Sequence, residues 1–201
     1  MTPRAVIFDL GKVLVDFDYS HAGRRIAARS ATPPEQIRQF IDHSPLLAEY
    51  ETGRVTTQQF FTTIRDATGY AGTAAEFAAA FADIFTAITE MVELHAAIRH
   101  TGRPTYILSN TNELAVGHIR SHFPFFSNFD GYVFSHEVGA MKPEAKIYEV
   151  VEELSGHRGA DLVFIDDRME NIAAATARGW QTVLQETPTK TRAALVKLGV
   201  L

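Results

Sequence analysis

Four clusters of polar side chains each fall after an apolar run. They are Asp9 (in Val6-Ile7-Phe8-Asp9-Leu10-Gly11-Lys12-Val13), Ser109-Asn110 (after Ile107-Leu108), Lys142 (ahead of Pro143) and Asp166-Asp167 (after Phe164-Ile165). A carboxylate that closes a buried strand is costly without compensation. Asp9, Asp166 and Asp167 on one edge would repel one another, and a hard divalent cation with oxygen ligands relieves that repulsion. Magnesium binds through one or two carboxylates, a carbonyl, waters and a substrate phosphate. The Ser109 hydroxyl, the Lys142 ammonium and free backbone N–H groups could then hold phosphate oxygens. Asp9 can attack phosphorus and form an aspartyl-phosphate, which water hydrolyses. Taken singly, each cluster reads more simply. Asp9 and Ser109-Asn110 would be turn residues, Lys142 a solvated lysine, and Asp166-Asp167 the cap of a helix starting near Met169. All four at successive strand ends, in this order, is a much sharper signal.

The elements that must position these residues follow from apolar patterning. Runs at residues 4–8, 104–108, 131–134, 162–165 and 181–184 are rich in β-branched or aromatic residues and lack alternation. That pattern suits strands of a parallel sheet covered on both faces. Helical patterns at 91–100, 143–154 and 171–178 separate most of them, with Pro143 expected at the first helical position. Strand and helix in alternation predict a doubly wound, Rossmann-like α/β core, whose ligands bind at the carboxyl ends of the strands. The segment between the first two strands is far longer than a crossover needs and reads as helical at 20–30, 34–43, 56–68 and 73–88. Phe77, Phe81 and Phe85 repeat along one face of the last of these. Residues 1–15 and 89–201 are therefore expected to form the core domain, and 16–88 a small helical cap over the strand ends. Such a cap could set specificity and exclude water.

Composition narrows the function further. The chain has 201 residues and a net charge of -5, which gives no basic footprint for nucleic acid. It has no cysteine, which removes disulfide and thiol chemistry. No secretory signal and no membrane-spanning stretch is expected, so the default location is cytoplasmic. The expected partner is a small-molecule phosphate ester, with no nucleic acid and no membrane; oligomeric state stays open.

The four clusters resemble the motifs of the haloacid dehalogenase-like hydrolases, and the resemblance covers nearly the whole chain. The first motif matches Asp9 to Val13, the second Ser109, the third Lys142 and the fourth Asp166-Asp167. The resemblance implies Asp9 as nucleophile, with Ser109 and Lys142 completing the catalytic set. It implies magnesium held by Asp9, the Gly11 carbonyl and mainly Asp167, with Asp166 as a ligand or a partner behind the ligands. Leu10, Gly11, Ser109, Asn110 and Lys142 are the expected phosphate-binding set. The insertion after the first motif matches the family's small cap.

Residue 11 departs from the family pattern. Most phosphatases of this superfamily have a second Asp there as general acid/base, and Gly11 cannot protonate a leaving group. The form of the motifs resembles a branch that includes α-D-glucose-1-phosphate phosphatases. An easily departing anomeric hydroxyl, as in a sugar 1-phosphate, would suit the missing acid. Asp16, Asp18 or His21 could stand in for it, although a polar loop leading into the cap is the simpler reading. His118 and His122 have no further zinc ligands at suitable spacing, and Arg24-Arg25 read as a solvated helix face. Two rival functions remain: a metal-independent haloacid dehalogenase, which Asp166-Asp167 disfavours, and a non-catalytic protein that binds phosphorylated ligands.

Overall fold

Strand β1 (Ala5–Phe8) consists of four buried apolar residues, as a strand covered on both faces requires. In the computed structural model, which describes residues 1–201 apart from the side chains of 42 and 43, β1 is the centre of a five-stranded parallel sheet. On one side lie β4 (Thr105–Ser109) and then β5 (Gly131–Phe134); on the other lie β6 (Leu162–Asp166) and then β7 (Gln181–Leu184). Val6 and Phe8 pack with Met91, Leu94 and Ile98 of α6 (Thr89–His100) and with Ile119 of α7 (Glu113–His122). Ala5 and Ile7 pack on the opposite face against Ile147 and Val151 of α9 (Ala145–Ser155) and Ala175 of α10 (Met169–Ala177). Helix α11 (Pro188–Lys197) adds Leu195 to the first face. The chain moves outward from β1 to β5, then crosses back to β6 and β7. The winding reverses at β1, and the crevice beyond its carboxyl end is where such sheets bind ligands. The doubly wound core and its five strands are as the sequence predicts.

Beyond β1 the chain enters a short ribbon, β2 (Val15–Phe17) antiparallel to β3 (Phe85–Ala87), with Asp16 opposite Thr86. Between the two ribbon strands lie α1 (Tyr19–Ala27), α2 (Pro34–His43), α3 (Pro45–Glu51), α4 (Thr57–Thr68) and α5 (Ala74–Ala82). This is the helical cap inserted after the first core strand. Capping boxes start α4 (Thr56 with Gln59) and α5 (Thr73 with Glu76). An aromatic cluster fills the cap: Tyr50 stacks on Phe60 at 4.4 Å, and Phe81 meets Phe60 at 5.1 Å.

Two expectations need correction. The helix expected over 73–88 ends at Ala82, because residues 85–87 pair with β2; the Phe85 ring lies 6.1 Å from Phe17 in that ribbon. Helix α3 falls between the helices expected at 34–43 and 56–68, where no separate helix is singled out from the sequence. Pro143 does not open α9, which begins at Ala145; it follows a cis peptide bond from Lys142 in the preceding turn.

Helix α3 is fixed to the core at its carboxyl end. The Tyr50 hydroxyl accepts from the Leu114 N–H at 3.3 Å and shares a hydrogen bond with Thr57 at 2.8 Å. Gly53 has φ +70 and abuts the carbonyl of His136, where a Cβ would collide. His136 belongs to α8 (Ser135–Val138).

One titratable group sits deep in the core. His95 is 2% exposed, stacks on Phe129 at 3.9 Å and shares a hydrogen bond with Thr105 at 3.0 Å. Burial lowers its pKa from 6.5 to about 4. Between those values the unfolded chain binds the extra proton, so His95 contributes stability that is full above pH 6.5 and is lost as pH falls towards 4. Urea unfolding at stepped pH should show wild type losing more stability over this window than His95→Gln. Equal slopes would rule out a buried neutral imidazole.

Candidate active site

The four sequence clusters meet at the carboxyl edge of the sheet. Asp9 follows β1, Ser109 ends β4, Asp166 ends β6, and Lys142 arrives from the turn before α9. Lys142 Nζ lies 2.8 Å from Asp9 Oδ1 and 2.7 Å from Asp166 Oδ2, all three side chains buried. Burial pushes the Asp9 carboxyl up to about 7, against the pull of Lys142, and Asp166 pushes it further up. Burial opposes the charge on Lys142, but Asp9 and Asp166 outweigh it and hold the ammonium above its usual range. Burial, and then Asp166, also raise Asp167. One ammonium thus faces more negative charge than it neutralises.

Asparagines hold this arrangement in place. The Asn110 side chain accepts from the Lys142 N–H at 2.7 Å and donates to the Lys142 carbonyl at 3.0 Å. Asn171 Nδ2 donates to both oxygens of Asp166, at 3.0 and 3.1 Å, and the Arg168 N–H donates to Asp166 Oδ1 at 2.8 Å. Asp166 therefore does not cap α10 as a lone turn residue would; it is locked against Lys142. Asn171 was not singled out from the sequence, because nothing in its pattern separates it from a solvated residue on the first turn of α10.

The groups left over define what the site can do. Among the described residues, Asp9 Oδ2 accepts no hydrogen bond, and neither the N–H nor the carbonyl of Gly11 is engaged. Of the expected phosphate-binding set, Leu10 donates its N–H to Asp9 Oδ1 at 2.7 Å. The Asn110 side chain is engaged by the Lys142 peptide groups. The buried Ser109 hydroxyl has only the Asn110 carbonyl, at 3.4 Å. Asp9, Asp166 and Asp167 each offer an oxygen within 4.8 Å of the others. An all-oxygen donor set carrying uncompensated negative charge fits a hard divalent cation such as magnesium. Both Asp166 oxygens are already engaged, so Asp9, Asp167 and the Gly11 carbonyl present the unspent donors.

Two adjoining cavities open over this floor. One, of about 260 Å³, is lined by Asp9, Lys142 and Asp167; the other, of about 50 Å³, by Ser109 and the apolar Val15, Phe17, Phe85 and Ile119. Gly11 and Glu51 line both. A Cβ on Gly11 would lie 2.9 Å from the Phe17 ring, so Phe17 fills the space a side chain at residue 11 would need. Glu51, at the end of α3, was not a sequence candidate. Burial pushes its carboxyl up to about 7, although Arg168 pulls it down. It makes no hydrogen bond or ion pair among the described residues.

Other sequence candidates lie elsewhere. Asp16 pairs with Lys12, Asp18 caps α1 through the Ser20 N–H at 2.8 Å, and His21 lines a separate cavity with them. Arg25 is paired with Asp83 at 2.7 Å. His118 and His122 stack at 4.1 Å, and neither joins a metal-ligating group among the described residues. No described helix is long and apolar enough to cross a membrane.

Known proteins resemble this chain along most of its length. A sesquiterpene phosphatase of Aspergillus oryzae is 24% identical over 181 residues, covering 89% of this chain and 87% of that protein. A D-ribitol-5-phosphate phosphatase of Bacteroides thetaiotaomicron is 23% identical over 190 residues, covering 90% and 91%. A HAD family enzyme from Bacteroides thetaiotaomicron, solved in complex with magnesium and inorganic phosphate, shares the fold with a TM-score of 0.81 at 24% identity, over 90% of this chain and 93% of that one. The model of the haloacid dehalogenase-like hydrolases matches residues 3–179, and the chain belongs to that family of hydrolases.

Proposed function

We propose that this protein is a magnesium-dependent phosphatase that hydrolyses a small phosphorylated metabolite through an aspartyl-phosphate on Asp9. In this reading residues 1–15 and 89–201 form the catalytic core and 16–88 the cap. The observation that carries it is the unspent oxygen of Asp9, held over the sheet edge by a buried lysine beside two further carboxylates. Asp9 Oδ2 attacks phosphorus while Lys142 fixes the other oxygen. The Ser109 hydroxyl and the N–H of Gly11 receive phosphoryl oxygens. Asp9, Asp167 and the Gly11 carbonyl hold magnesium, with Asp166 behind them; the ion supplies positive charge that screens a carboxylate approaching an anionic ester. Water then hydrolyses the acyl phosphate and restores Asp9.

The finer reading is a sugar phosphate, with sugar 1-phosphates favoured as in the α-D-glucose-1-phosphate phosphatase branch. Gly11 supports it through the leaving-group argument, and likeness to a ribitol phosphate phosphatase supports a polyol ester. A second reading rests on the walls of the smaller cavity: Val15, Phe17, Phe85 and Ile119 suit an apolar alcohol, and a sesquiterpene phosphatase is among the similar proteins.

Phosphate release from a panel of sugar, polyol and isoprenoid phosphates should require magnesium and stop on chelation. Asp9→Asn should lower kcat/KM by ~10³-fold or more. Release that survives either change, or chloride release from a haloacid without metal, would contradict the reading. The charge balance can be tested without turnover. Lys142→Met strands buried carboxylates, and urea unfolding in metal-free buffer should show a loss of about 3 kcal/mol. Asp9→Asn removes excess negative charge and should leave that stability unchanged or higher. The opposite order would refute the charge imbalance.

A further inference from the structure

An alkoxide leaving phosphorus needs a proton, and Gly11 has no side chain to give one. We propose that Glu51, carried into the site by the cap, is the general acid that protonates the departing oxygen. This rests on the phosphatase reading above.

Four observations support the assignment. Glu51 lines both cavities, the one containing Asp9, Lys142 and Asp167 and the one with apolar walls. It therefore stands where a phosphoryl group and its leaving group would join. It is the one carboxyl of the smaller cavity's lining, and it has no hydrogen bond or ion pair among the described residues. Asp16 and Asp18 are instead committed to Lys12 and Ser20, outside these cavities. The helix end bearing Glu51 is held by the Tyr50 hydroxyl on Leu114 and by Gly53 against His136, so the backbone that carries the carboxyl is fixed beside the cavities. Finally, Phe17 occupies the space beside Gly11, so an acid must come from across the cavity. An unpaired carboxyl on a solvated face would not be turned into a cavity. The charged groups that share the larger cavity with it are Lys12, Lys142, Arg168, Asp9 and Asp167.

The chemistry balances. The Asp9 oxygen forms a bond to phosphorus as the P–O bond to the alcohol breaks, and the Glu51 proton moves to the alcohol oxygen. Glu51, now a carboxylate, takes a proton from the water that attacks the phosphoryl-aspartate. Phosphate leaves, and both carboxyl groups return to their starting states.

The test compares two esters with the same phosphoryl group: the best alkyl phosphate of the panel, and p-nitrophenyl phosphate, whose phenolate departs without a proton. Glu51→Gln should lower kcat/KM for the alkyl ester by ~10²-fold or more and for the aryl ester far less. Glu51→Asp, which keeps a carboxyl on a shorter stem, should shift the ratio the same way but less, and serves if the Gln variant folds poorly. Equal losses on both esters, or none, would overturn the assignment and leave the phosphatase reading standing. If wild type releases phosphate from neither ester, both fall together.

Discussion

Asp9, Asp166 and Asp167 converge on one edge of the sheet, and Lys142 is the one buried cation among them. This cluster does not exist for stability. Burying charges costs several kcal/mol per ion, and an apolar replacement is often as stable or more so. The surroundings are arranged to keep the cluster charged and oriented. Asn110 pins the Lys142 peptide, Asn171 pins Asp166, and β1 delivers Asp9 at the point where the winding of the sheet reverses. What remains is negative charge that a hard cation satisfies, and one carboxylate oxygen directed at no protein donor.

The cap supplies what this floor lacks. The β2–β3 ribbon ties both ends of the insertion to the turn after β1, so Phe17 and Phe85 become walls of the site. The Phe17 ring against Gly11 makes the turn after Asp9 compact and bare of side-chain acid. Helix α3 brings Glu51 over the same floor. In the proposed function core and cap would divide the work, the sheet edge taking the phosphoryl group and the cap whatever is attached to it.

Much of this was legible in the sequence, for physical reasons. Uninterrupted apolar runs identified the five parallel strands, since strands buried on both faces leave no room for alternation. Polar residues at the ends of those runs then located Asp9, Ser109 and Asp166-Asp167 without structure. The ribbon strand at 85–87 was not legible, because Phe85 also fits the helical spacing of Phe77 and Phe81 and only pairing with β2 decides between them. Glu51 was invisible for a similar reason: a glutamate at a helix end reads as solvated until tertiary packing turns it inward. Nor did the sequence reveal that the Asn110 side chain would be spent on Lys142 or the Leu10 N–H on Asp9, since such partners are set by sub-ångström placement.

The proposed mechanism stands on covalent phosphorylation of Asp9. It is tested most directly by acid-quenching the protein during turnover, in magnesium, and mapping its peptides by mass. One phosphoryl group is expected on the peptide containing Asp9. Turnover with the phosphoryl group on Ser109 or another residue, or with no covalent adduct at any quench time, would contradict it.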